Sequence, residues 1–221
     1  MRATVLLADD HKLFTDGLQK LIASKHEVIG AVCNGRELLE VAQQRKPDVV
    51  ITDLSMPFLN GLDAMRTLRS AKLRTKFIIL TMHSDISLVV EAFRAGASGY
   101  VLKEATAGDI NNALDTVTRG RVYLSPSLPT DIITVLAEAA QNTVASDDGL
   151  KLTRRQREVL QLIAEGKTMK EVAAILGIST RTGESYKYDL MHSLGIRSSA
   201  ELVQYAIRIG IITVQPLRFA A

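Results

Sequence analysis

Five short apolar runs punctuate the first half of the chain, and four of them stop at a chemically capable side chain. Val5-Leu6-Leu7-Ala8 leads into Asp9-Asp10, Val49-Val50-Ile51-Thr52 into Asp53, Phe77-Ile78-Ile79-Leu80 into Thr81, and Gly99-Tyr100-Val101-Leu102 into Lys103. The fifth run, Val28 to Val32, ends on nothing reactive. Between the runs lie stretches with apolar residues three or four apart, such as Leu13, Phe14, Leu18, Leu21 and Ile22, or Leu88, Val89, Ala92 and Phe93. Apolar strands alternating with amphipathic helices are the pattern of a parallel sheet buried on both faces. The expected fold of residues 1–120 is α/β: a doubly wound five-stranded parallel sheet in the flavodoxin-like order 2-1-3-4-5, its last helix opening at Asp109 and closing at Gly120. Ligands in such sheets collect at the carboxyl ends of the strands, and strands one and three are neighbours at the switch point. Three acids, a hydroxyl and an ammonium are therefore expected on one edge, with Asp9, Asp10 and Asp53 meeting there.

That set suits phosphate chemistry. Two adjacent acids and a third from the next strand make a hard, oxygen-rich site of the kind Mg²⁺ prefers. Asp53 is then a candidate carboxylate nucleophile toward a phosphoryl donor. Lys103 would balance the added charge, and Thr81 would donate a hydrogen bond to a phosphoryl oxygen. Taken singly, each residue has an ordinary reading: acids at a helix N-terminus, a surface lysine, a core tyrosine at Tyr100, a threonine cap. Their concurrence at the ends of four separate strands favours the shared site. His11 and His83 lie near the same edge, but no pair has ligand spacing, and both are expected to be structural or solvent-facing. There is no Gly-x-x-x-x-Gly-Lys-Ser/Thr loop, which excludes a P-loop NTPase. Phosphatases with a nucleophilic Asp usually carry a general acid two residues later, where this chain has Ser55. A phosphoryl-aspartate would be stored rather than turned over, and the chain is not expected to be an enzyme.

The remaining sequence changes character. Residues 121–150 carry one Lys/Arg against four Asp/Glu, and residues 151–221 carry eleven against six. Ser125-Pro126-Ser127-Leu128-Pro129 and Ser146-Asp147-Asp148-Gly149 are turn chemistry, with Asp131 to Ala140 able to form one short helix between them. Residues 121–150 thus read as a linker. From Lys151 all signals are helical: Thr153/Gln156 and Thr168/Glu171 fit the capping box, and Gly166, Gly177, Gly195 and Gly210 fall where helix C-termini favour a left-handed residue. Four helices are predicted, at 154–165, 169–176, 180–194 and 199–209, making residues 151–221 a second, all-α four-helix domain. The second and third are joined only by Gly177-Ile178-Ser179, the helix-turn-helix pattern. The positive excess of this last third marks where double-stranded DNA would bind, against the plainer reading of a dimerisation bundle. No run approaches the length needed to cross a bilayer, no signal peptide is seen, and the single Cys33 is expected in the core, so a cytoplasmic protein is expected.

Two resemblances sharpen these readings. Asp9-Asp10, Asp53-Leu54-Ser55-Met56-Pro57 with Gly61, Thr81, and Ala95 through Lys103 resemble, in order and over the whole of residues 1–120, the receiver domain of bacterial two-component response regulators. The resemblance implies that a histidine kinase phosphorylates Asp53. It implies further that Asp10, Asp53 and the Ser55 carbonyl bind Mg²⁺, with Asp9 acting through water, and that Thr81 and Tyr100 form a switch pair. In that pair the hydroxyl moves toward the phosphate and the ring turns inward behind it.

Residues 152–212 resemble the LuxR-type helix-turn-helix of NarL/FixJ regulators through Leu152-Thr153, Gln156 to Leu160, Gly166, Lys170 to Ala173, Leu176 to Ser179, Thr182, Leu194-Gly195, and Ala206 to Ile212. This implies a recognition helix from Thr180 to Leu194, with Arg181, Glu184, Ser185, Lys187 and Tyr188 on its solvent face. Thr182, Tyr186 and Lys187 are then phosphate-contacting candidates, and Glu184, Ser185 and Tyr188 base-facing ones. The final helix, with Leu202, Val203, Ala206 and Ile207, would contribute the interface of a homodimer formed on phosphorylation. The chain departs from the family at Gly183 (usually Val), Tyr186 (His) and Met169 (Asn). Gly inside a helix costs on the order of 1 kcal/mol against Ala, so the helix either firms up on DNA or uses its bare backbone to approach phosphate. Gly183→Val is expected to stabilise the domain. The alternative function is a phosphate-responsive protein-interaction module whose altered helix no longer binds DNA.

Overall fold

The structure, a computed structural model, describes residues 2–141 and 152–212 of the chain. It divides into two compact units, Met1–Ser146 and Asp147–Ala221. In the first unit β1 (Thr4–Ala8), β2 (Glu27–Val32), β3 (Val49–Thr52), β4 (Lys76–Thr81) and β5 (Gly99–Leu102) alternate with α1 (Lys12–Ile22), α2 (Gly35–Arg45), α3 (Gly61–Ser70), α4 (Ile86–Ala95) and α5 (Ala107–Thr118). The central strands β3 and β5 are buried at every position, as runs of Val, Ile and Leu covered on both faces must be. One face packs Leu38 and Ala42 of α2, Met65 and Leu68 of α3, and Val89 and Ala92 of α4 against Leu6, Val50, Phe77 and Ile79. The other packs Leu18 and Ile22 of α1 and Ile110, Leu114 and Val117 of α5 against Val5, Leu7, Ile51 and Ile78. Burying each of the Val, Leu, Ile, Phe and Met side chains among these is worth about 1.5–3 kcal/mol, which makes the two sandwiched layers the principal source of stability.

The sheet has six strands rather than the expected five. Its order is β2-β1-β3-β4-β5-β6, where β6 (Tyr123–Leu124) pairs parallel to β5 through Gly99↔Tyr123 and Tyr100↔Leu124. Two residues are too short to display a strand period, so in sequence the segment is indistinguishable from linker. The stretch that follows supplies the expected short helix, α6 (Ile132–Gln141), and Leu128 and Ile132 join the core beneath α4. Cys33, expected in the core, is exposed, with Sγ 3.5 Å from Glu37 Oε2. It lies beyond the end of an edge strand, where only one side of the sheet remains to cover it.

The second unit holds α7 (Arg154–Ala164), α8 (Met169–Leu176), α9 (Thr180–Leu194) and α10 (Ser199–Arg208). Both predicted capping boxes form, Thr153 with Gln156 and Thr168 with Glu171. Gly177 closes α8 at φ 63°, and two residues later Ser179 accepts the Thr182 N–H to open α9. Val159, Leu160, Val172, Leu176, Leu190, Leu202 and Ala206 form the core of the unit. Glu158 is buried among them and is held by Arg154 at 3.0 Å and Arg155 at 2.7 Å. Arg155 also donates to the Leu176 carbonyl at the end of α8, 2.7 Å away, tying α7 to the helix-turn-helix. Ser146 to Gly149, read as a turn, lie outside the described residues.

Candidate phosphoacceptor site and nucleic-acid interface

The sheet ladder itself delivers the polar residues to one edge. Register pairs Ala8 with Thr52 and Thr81 with Leu102, so the next residue of each strand emerges beside its neighbour. The ladder continues by one bond on each side: Asp53 N–H donates to the Ala8 carbonyl at 2.8 Å, and Lys103 N–H to the Thr81 carbonyl at 2.8 Å. Gly61 lets α3 start directly under this edge, because a Cβ there would overlap the Asp53 carbonyl. Asn60 caps the same helix by accepting the Asp63 N–H at 2.9 Å.

Lys103 is the electrostatic centre. Its Nζ lies 2.7 Å from Asp53 Oδ2 and 2.7 Å from Asp9 Oδ2, with all three side chains more than nine-tenths buried. The Phe14 ring of α1 covers the ammonium at 5.2 Å. Burial pushes the Asp53 carboxyl above its ordinary value; Lys103 and the Ser55 N–H at 3.4 Å pull it back without cancelling that rise. Burial alone would lower the Lys103 ammonium, but Asp53 and Asp9 more than reverse this and hold it above its usual range.

Three carboxylates face one ammonium, an imbalance that a divalent cation offsets. Ligand atoms of Asp9, Asp10, His11 and Asp53 all lie within 4.8 Å of one another. The oxygen-rich donors fit Mg²⁺. His11 was expected to be merely structural or solvent-facing. It is about half exposed, yet its Nδ1 sits 3.0 Å from Asp10 Oδ1 and 3.1 Å from Asp9 Oδ1, against the same acids. The only sequence signal for it was adjacency to Asp9-Asp10.

Thr81 and Tyr100 are fully buried beside this edge. The Thr81 hydroxyl accepts the His83 N–H at 3.3 Å, and the Tyr100 hydroxyl donates to the His83 carbonyl at 2.8 Å. The ring is therefore in the inward position. Burial raises its phenol well above the ordinary value, so Tyr100 acts only as a neutral donor.

On α9, Arg181, Thr182, Glu184, Ser185 and Tyr188 are exposed, while Tyr186 and Lys187 are partly covered. Tyr188 stacks on His192 with ring centroids 6.2 Å apart. Gly183 faces inward and is buried. A Cβ there would meet Met169 Cε at 3.1 Å, so the methionine of α8 fills the space a larger residue would take. The departures at 169 and 183 thus complement each other, and the bare backbone is not offered to phosphate.

A sheet edge that gathers acids around a buried aspartate and lysine, carried with a separate helix-turn-helix unit, defines a receiver-type regulator. The comparisons agree with that class. Residues 5–115 match the response regulator receiver domain, and residues 150–206 match the bacterial regulatory proteins of the luxR family. The chain belongs to this family of response regulators. It is 33% identical over 211 residues to the transcriptional regulatory protein MctR of Rhizobium johnstonii, covering 95% of each chain. It is 34% identical over 209 residues to the oxygen regulatory protein NreC of Staphylococcus aureus, covering 92% of this chain and 96% of the relative. The solved response regulator RcsB of Salmonella typhimurium superposes with a TM-score of 0.60 at 25% identity, over 94% of this chain and 98% of that one. A structure of an RcsB–DNA complex matches with a TM-score of 0.55 at 25% identity, over 93% and 98%.

Proposed function

We propose that the chain is a cytoplasmic transcription regulator whose DNA binding is switched by phosphorylation of Asp53. The observation that carries this reading is the Lys103 ammonium bridging Asp53 and Asp9 at 2.7 Å, at the edge where Asp10 also emerges. A histidine kinase would be the donor. One Asp53 carboxylate oxygen forms the new O–P bond while the P–N bond of a phosphohistidine breaks, and the departing nitrogen keeps the electron pair and takes up a proton. Asp10, Asp53 and the Ser55 carbonyl, with Asp9 acting through water, would hold Mg²⁺, which would supply charge neutralisation between the carboxylates and the incoming phosphoryl oxygens. Lys103 would pair with the acyl phosphate, and Thr81 would turn its hydroxyl from the His83 amide toward a phosphoryl oxygen. The inward ring of Tyr100 is the position expected behind a Thr81 so displaced. Phosphate then acts by favouring one of two arrangements of this edge, a population shift.

The output is sequence-specific binding to double-stranded DNA by α9, with Arg181, Thr182, Tyr186 and Lys187 toward phosphates and Glu184, Ser185 and Tyr188 toward bases, as a homodimer assembled on phosphorylation. Ile207, 37% exposed, and the partly covered Val203 one turn before it are the apolar side chains of α10 that would meet the second copy. Packing of Met169 against Gly183 removes the main reason to read α9 as a degenerate helix, so DNA is preferred over a protein partner. The direct test is incorporation of phosphate from a small phosphodonor in the presence of Mg²⁺, followed by intact mass. Wild type should gain one phosphoryl group and Asp53→Ala none; equal incorporation in both would refute Asp53 as the acceptor.

A further inference from the structure

Lys103 carries a long, flexible side chain on the residue just past β5, yet its ammonium is held at the reactive edge with only 8% of the side chain exposed. Two carboxylates flank it, Asp53 and Asp9, each with an oxygen 2.7 Å from Nζ. Neither is a constant partner. Asp53 becomes an acyl phosphate when it takes the phosphoryl group, and Asp9 would be drawn toward Mg²⁺. A side chain that keeps the ammonium in place throughout has to be one that the reaction leaves unchanged.

The Phe14 ring is such a neighbour. Nζ lies over it, 5.2 Å from the centroid, inside the reach of about 6 Å at which an aromatic face attracts a cation. Phe14 stands in the first turn of α1, four residues after Asp10, so the chain that delivers the acids delivers the ring next. Its partly covered side chain is rooted against the core layer of Val5, Leu7, Leu18, Ile110 and Leu114, and Ala105 from the Lys103 loop packs on the same layer. Little water reaches the ammonium, and the attraction is strongest where the cation is desolvated. An aliphatic side chain could fill the same space, but it would leave that face of the ammonium neither hydrated nor attracted.

Taking Asp53 as the phosphoacceptor, we propose that Phe14 is a positioning residue for phosphoryl transfer: the face of its ring fixes the Lys103 ammonium, which meets the incoming phosphoryl oxygens. Phe14 acts through Lys103 alone. Its contribution lies in the negative face of the ring and not in its apolar volume, which separates this role from ordinary core packing.

The test treats the full chain, in Mg²⁺, with acetyl phosphate and follows the initial rate of phosphoryl gain by intact mass. Phe14→Leu stays apolar but loses the ring face, and should slow the reaction about tenfold. Phe14→Tyr keeps the face and should stay within about twofold of wild type. A trifluorinated phenylalanine at position 14 keeps the shape while draining the face, and should fall between the two. In parallel, labelling of Lys103 by a limiting amine-reactive reagent, mapped by mass against the exposed Lys12, should rise in Phe14→Leu and in the fluorinated chain but not in Phe14→Tyr. Equal rates in Phe14→Leu and Phe14→Tyr, or a fluorinated chain that matches wild type in rate and labelling, would reduce Phe14 to packing and overturn the proposal. A wild-type chain that takes no phosphate would refute the reading of Asp53 and the proposal with it, and the labelling would still show whether the ring holds the ammonium.

Discussion

The phosphoacceptor edge and the recognition helix are both polar, but they are specified in opposite ways. At the edge, Asp9, Asp53 and Lys103 are almost wholly buried, and each is answered by another within 2.7 Å. On α9 the polar residues stand in solvent, with Tyr188 69% exposed, and little inside the protein answers them. A buried charge left without its partner is costly, whereas an exposed one is nearly free to change. The protein's own stability therefore constrains the first region, and only a bound partner constrains the second. The receiver chemistry is thus readable from this chain alone, while the base preference of α9 is not.

The contrast can be broken most severely at Lys103. Lys103→Met leaves Asp9 and Asp53 buried with no cation between them, and should cost about 3 kcal/mol in urea unfolding of the metal-free chain. Mg²⁺ should restore part of that loss. An unchanged midpoint would mean that the edge is wetter and more tolerant than its burial indicates.

A milder probe is the pH dependence of Asp53. Its folded carboxyl titrates above the unfolded value, so the fold prefers the proton-bound form. The contribution is favourable below the ordinary carboxylate range and is lost as pH rises through the raised folded value. Metal-free Asp53→Asn should therefore gain on wild type as pH climbs past that range. A difference between the two that stays flat with pH would contradict the direction of the shift.

On the exposed helix, Lys187→Ala should weaken DNA binding about equally for all sequences and reduce the salt slope by about 1. Loss restricted to particular sequences would instead place Lys187 among the base contacts. The smallest effect is expected between Gly183 and Met169. Gly183→Val must displace Met169 Cε, so its stabilisation should appear fully only alongside Met169→Asn. A double-mutant cycle read by thermal unfolding should give a coupling of about 0.5 kcal/mol or more. Strict additivity would show that the two side chains do not share the space.

How much of this was legible in the sequence follows the same division. Asp9, Asp53, Thr81 and Lys103 were visible because strand ends in a parallel sheet must converge and apolar runs mark where strands stop. The caps of α7 and α8 were visible because Thr153/Gln156 and Thr168/Glu171 are local signals. β6 was not, since Tyr123–Leu124 is defined by pairing to a strand more than twenty residues earlier. His11 was underread because its contact with Asp9 and Asp10 depends on the chain turning into α1 immediately after them. The Met169–Gly183 contact was missed for a related reason: each departure looked like a defect until the two were seen in contact. Charge counting does not show where the excess lies: Arg154 and Arg155 are turned to the buried Glu158 rather than to α9.

The most direct measurement is the DNA affinity of the full chain across a salt series, with Mg²⁺, before and after treatment with a small phosphodonor. Tight binding with a steep salt dependence, present after treatment in wild type and absent in Asp53→Ala, is the predicted result. Binding that is absent in both states while Asp53 demonstrably takes phosphate, or that is equally tight with and without it, would contradict a phosphorylation-gated DNA switch.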